Sequence, residues 1–155
     1  MNEKVNFQKP LKLAFPITII VFILLTKWWI VDVIDGSDCV MYGFPLIYKS
    51  PAFYTSLAEQ YFVKEFLIDF LFYFVSVFGI LFLINKFISE LKLKRKLLII
   101  IYVIAGILFG LETLMATVFE TSFSIQRDFD IVVKQTGAKF YFSDKERKEF
   151  DKFHQ

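Results

Sequence analysis

The sequence predicts an all-α membrane protein: three transmembrane helices followed by a short extracytoplasmic β-hairpin and a terminal helix. Three observations carry this expectation. The chain has 56% hydrophobic and 19% aromatic residues and a mean hydropathy of +0.54, above the apolar share of about 45–50% usual for soluble domains. Its apolar residues fall into three long runs, at 13–31, 61–84 and 97–119, each matching the roughly 20 residues that cross a ~30 Å hydrocarbon core. Basic residues gather outside those runs.

The head, residues 1–12, carries Lys4, Lys9 and Lys12. The run at 13–31 behind it reads as a retained first span, because it is longer than a signal-peptide core and no small-residue cleavage site follows. The connector 85–96 holds Lys86, Lys92, Lys94, Arg95 and Lys96, whereas the loop 32–60 sets Lys49 against Asp32, Asp35, Asp38 and Glu59. The positive-inside rule then puts the head and connector in the cytoplasm and the acidic loop outside, in a cytoplasmic (inner or plasma) membrane. Trp28, Trp29, Tyr54 and Tyr61 read as interface anchors. Asp35–Asp38, Gly43, Pro45 and Pro51 predict turns rather than regular structure in the loop.

The tail, 120–155, changes period. Phe123, Ile125, Phe129, Ile131 and Val133 are interleaved with polar residues, as in a half-buried strand. Gly137 is expected to break it, so that 139–142 returns as a hairpin partner. Ser143 with Glu146 forms a capping box for a charged helix to about residue 153.

Four ionisable residues lie within the runs: Lys27, Glu65, Asp69 and Glu112. Charges in hydrocarbon are costly and face protein or water. At 1.5 Å per residue all fall in the outer half of the bilayer, so they are expected to form one cluster, with Lys27 the counter-ion of Asp69 or Glu112. On the third run Gly106, Gly110, Thr113 and Thr117 make a strip of small residues suited to close helix packing.

The chemistry this excludes is broad. A net charge of +2 without a basic stripe is no nucleic-acid footprint. Cys39 is the single cysteine and His154 the single histidine, so no cysteine-based metal cluster or intrachain disulfide is available. Asp32, Asp35 and Asp38 lack the ligand order of a calcium loop. Ser37, Cys39 and Tyr42 have no base beside them in any catalytic motif, and neither HExxH, GxSxG nor a phosphate-binding loop occurs. The expected function is that of a non-enzymatic accessory or structural subunit of a membrane complex, without cofactor. Its partners are the lipid bilayer and either a membrane-protein partner or further copies of itself. An oligomeric ion or proton conductor using Asp69 and Glu112 is the alternative, and a toxin-immunity or defence-associated membrane protein a third.

Overall fold

The computed structural model describes residues 8–33, 39–52, 58–88, 94–119 and 121–140. The chain is not all-α. It runs α1 (Gln8–Leu24), β1 (Leu25–Val33), β2 (Cys39–Tyr42), β3 (Lys49–Pro51), β4 (Glu59–Phe62), α2 (Val63–Leu83), a π-helical turn (Ile84–Ile88), α3 (Arg95–Val118), β5 (Ser122–Ser124) and β6 (Ile131–Phe140). The described strands form one six-stranded mixed sheet in the order β5-β4-β3-β2-β1-β6.

The first expected span is where the all-α reading fails. Its apolar run is two elements in series: a 17-residue helix and then a strand that starts at Leu25. At 1.5 Å per residue α1 is about 25 Å long, short of the ~30 Å of a hydrocarbon core. The remainder, Thr26-Lys27-Trp28-Trp29-Ile30-Val31, is rich in the β-branched and aromatic residues that favour a pleated surface. It pairs on both sides, antiparallel to β2 and to β6. A central strand covered on both faces is nearly continuously apolar, which hydropathy cannot distinguish from helix.

Two helices are long and apolar enough to cross a membrane, Val63–Phe87 and Arg95–Val118. They show none of the one-sided burial of a soluble core helix: Leu67, Leu71, Val75, Ile107, Leu111 and Val118 are all exposed. An apolar surface of this extent marks contact with lipid or protein. The start of α2 and the end of α3 both join the sheet, since β4 runs directly into α2, and β5, just after α3, pairs parallel with β4. The sheet thus draws strands from both flanks of this helix pair.

The loop between the first two expected spans is likewise structured, contributing β2, β3 and β4 in place of turns alone. The expected tail hairpin does not form. β6 continues through Gly137 and pairs with β1, more than a hundred residues earlier. The expected helix after Ser143 lies outside the described residues. Along β1 the buried residues change parity, from Thr26 and Trp28 to Val31 and Val33. The change coincides with a bulge in the partner strand, where Lys134 of β6 is passed over between the pairs Ile30–Gln135 and Val31–Val133, so that β6 changes its facing against β1 at the point where the covered face of β1 changes. Val31, Val33, Cys39, Met41 and Ile47 then form the sheet core, covered by Trp29, Phe129 and Ile131.

α1 packs against both α2 and α3, which share no comparable contact with each other. Pro16, inside α1, has no N–H to give the carbonyl four residues back. That carbonyl, of Lys12, instead accepts a 2.9 Å hydrogen bond from the Tyr102 hydroxyl on α3. At the other end the Tyr73 hydroxyl on α2 donates to the Leu25 carbonyl at 2.7 Å. Phe22 fills the α1–α2 seam, stacked 5.0 Å from Tyr48 and edge-on to Phe66 and Phe70.

Candidate functional site

The four charges are not one cluster. Asp69, fully buried on α2, accepts hydrogen bonds from the backbone N–H groups of Phe44 (2.7 Å) and Leu46 (2.9 Å). It fastens the β2–β3 loop onto the helix. The loop needs this geometry: Gly43 has φ +145°, and a Cβ there would lie 2.0 Å from the Leu46 carbonyl oxygen, so only glycine fits without strain. Gly43 also ties the loop to β1, its N–H donating to the Lys27 carbonyl and its carbonyl accepting from the Trp29 indole.

Lys27 forms no ion pair with Asp69 or Glu112. Because it sits on a strand, helical depth arithmetic does not apply to it. Its ammonium lies 4.1 Å from the centre of the Trp29 ring and 5.3 Å from that of Phe44, an arrangement in which the ring faces replace a counter-ion. It borders an open cavity of about 480 Å³ between α1 and α2. Glu65 is half-buried, and its Oε2 has no hydrogen-bond partner among the described residues.

On α3 the small-residue strip is uncovered. A Cβ added at Gly106 or Gly110 would meet nothing within 4 Å. The exposed hydroxyls of Thr113 and Thr117 turn back to carbonyls of their own helix, of Phe109 and Leu114. At 100° per residue the strip lies about 80–140° round the helix from Ala105, the buried residue of α3. No helix among the described residues rests on it.

Glu112 borders a second cavity, of about 360 Å³, where the three helices meet the sheet. α1 gives it Phe15, Ile19 and Phe22, α2 gives Phe66, Leu67 and Phe70, and α3 gives Phe109 and Glu112. The sheet closes its end with Tyr42, Tyr48, Lys49 and Tyr61. This end is polar. Lys49, nearly buried, forms a 2.7 Å ion pair with Glu59, and its ammonium stands 5.3 Å from the Tyr61 ring centre. Tyr48 and Tyr61 are neighbours, with ring centres 6.2 Å apart. Burial pushes the Tyr61 phenol well above its ordinary value, and the carboxylates of Glu59 and Glu112 push it further. The cavity is thus an apolar, aromatic chamber with a polar end.

Sequence reasoning singled out Glu112 but missed its surroundings. Tyr61 read as an interface anchor and Lys49 as one loop charge, because Tyr42, Tyr48 and Tyr61 reach the cavity from separate parts of the sheet whose pairing no local pattern announces. Of the acidic loop residues, Asp32 forms a 2.6 Å ion pair with Lys134 of β6; Asp35, Ser37 and Asp38 lie outside the described residues. Cys39 is buried.

No protein-family model, curated protein or solved structure matches the chain. Function is therefore argued from the site and not by analogy of fold.

Proposed function

We propose that the protein is a non-enzymatic accessory subunit of a membrane complex, anchored by α2 and α3, which carries its sheet at the membrane surface and engages a partner helix along α3. The open strip Gly106, Gly110, Thr113 and Thr117 is the observation that carries this reading. In lipid, helices associate through small residues that permit close backbone approach, and no helix among the described residues covers this strip. Native mass measurement after mild detergent extraction tests it. A complex with another membrane protein, or with further copies, is expected, and Gly110→Leu is expected to dissociate it; a lone protomer in both samples counts against the reading.

The orientation we propose follows the charges. The connector between α2 and α3 carries Lys86, Lys92, Lys94, Arg95 and Lys96, which favours the cytoplasm and leaves the sheet outside. The start of α1 lies on the connector's side, because Lys12 meets Tyr102 while Phe22 and Glu112 border the same cavity nearer the sheet. This corresponds to a cytoplasmic N-terminus and an external C-terminus. In a Cys39→Ala background, an impermeant thiol reagent on intact cells is expected to label Asp130→Cys and spare Lys94→Cys.

A conductor built on Asp69 and Glu112 has less support. Asp69 is engaged by two backbone amides, and Glu112 borders a cavity that Asp69 does not line.

A further inference from the structure

The 360 Å³ cavity has the size of a small-ligand site, which spans about 300–1,000 Å³, and two features define its occupant. The first is its entrance. Among the described residues α2 and α3 share no contact comparable to those each makes with α1, and Phe15, Leu67 and Phe109, which line the cavity from three helices, are also exposed on the surface of the helical region. The opening therefore faces the hydrocarbon, and what enters comes from the bilayer with an apolar chain.

The second feature is the polar end. Glu112 has no hydrogen bond or ion pair among the described residues. Lys49 is already paired with Glu59, so among the described residues the charges at this end are two carboxylates and one ammonium. A headgroup of net negative charge meets repulsion there. One that carries an ammonium meets the Glu112 carboxylate, which stands near enough to Tyr61 to act on its phenol and has an aromatic wall around it. About six residues separate Glu112 from the end of α3, roughly 9 Å at 1.5 Å per residue, which places the carboxylate at the depth where headgroup gives way to chain.

We propose that this cavity is a lipid site, taking an acyl chain of an amine-headed zwitterionic phospholipid between α2 and α3 and receiving its ammonium at Glu112. The chain lies along Phe22, Phe70 and Phe109, and the sheet closes over the head. The site is separate from the small-residue strip on α3 and stands whether or not a partner helix binds there.

The test uses the full chain, delipidated in mild detergent and supplied with phosphatidylethanolamine or phosphatidylglycerol of identical acyl composition, with retained lipid read by native mass spectrometry and stability by thermal unfolding. Wild-type protein is expected to retain phosphatidylethanolamine preferentially and to be stabilised by it. Glu112→Gln, nearly isosteric, is expected to weaken that retention about tenfold while leaving phosphatidylglycerol unchanged. Leu67→Trp, at the entrance, is expected to reduce both. Equal retention of the two lipids by wild type, which needs no variant to fold, overturns the proposal. So does an undiminished preference in Glu112→Gln, or a second protein copy that occupies the gap and excludes lipid.

Discussion

Trp28 of β1 lies directly across from Gly137 of β6, with its indole ring where a side chain on the glycine would stand: a Cβ built there falls 2.6 Å from Cζ2 of the ring. The aromatic thereby covers the bare backbone of its neighbour, which is how a strand carries a glycine without losing packing. Gly137→Ala is expected to displace the buried indole and destabilise the protein by about 1–3 kcal/mol, the usual size of overpacking. Trp28→Leu removes the obstruction, so the double variant should lose less than the sum of the singles. Thermal unfolding of all three variants in one detergent measures the coupling; strict additivity would mean that the ring does not rest on the glycine.

Tyr61 makes stability depend on alkaline pH. Its phenol stays neutral in the fold to well above the ordinary value of 10.0, whereas in the unfolded chain it ionises near that value. Above pH 10 the unfolded state therefore binds fewer protons than the native one, and stability falls as pH rises. The loss is at most about 1.4 kcal/mol per pH unit, and less to the extent that water reaches the ring. Tyr61→Phe is expected to flatten this part of the curve between pH 10 and 12 and to match wild type in slope below it. Parallel curves throughout would place the alkaline loss on other groups.

The hydroxyl of Tyr102 replaces a donor that Pro16 removes. Because Lys12 accepts from that hydroxyl, Tyr102→Phe strands a carbonyl against α3 and is expected to cost about 1–3 kcal/mol. With Pro16→Ala the helix regains its own N–H for the Lys12 carbonyl. Tyr102→Phe should then cost markedly less in that background than in wild type. An equal cost in both backgrounds would show that Tyr102 contributes through its ring alone.

The parts of the fold that are legible in the sequence are those set by long local patterns. α2 and α3 are visible because about 20 apolar residues in series have few other uses, and their observed starts differ from the expected ones by only two residues. The boundary at Leu24–Leu25 is not visible, since a buried helix end and a central strand carry the same hydropathy. Nor are β2 and β3, at three or four residues each, or the pairing of β1 with β6 across most of the chain. At the site, the energetic cost of buried charge pointed to Asp69 and Glu112. Their surroundings stayed hidden for the same reason as the sheet: Asp69 is held by backbone amides of a distant loop, and Glu112 faces tyrosines from separate strands.

Asp69 is expected to act as a latch and not as a conducting group. Both carboxylate oxygens accept backbone N–H donors, Oδ2 from Phe44 and Oδ1 from Leu46, so the loop's position depends on a side chain that only accepts. Asp69→Asn keeps the shape but turns an NH₂ toward one of those donors. The misdirected N–H is left without an acceptor, at a cost of about 1–3 kcal/mol, and the damage should be local. Amide exchange at Phe44 and Leu46 is expected to accelerate in Asp69→Asn while the exchange of α3 stays as in wild type, and Asp69→Glu should not restore it, because the longer arm displaces the acceptor. In liposomes, wild type and Asp69→Asn are expected to give the same background proton flux. A wild-type flux abolished by Asp69→Asn, with amide exchange in the loop unaltered, would sink the latch and make Asp69 part of a proton path.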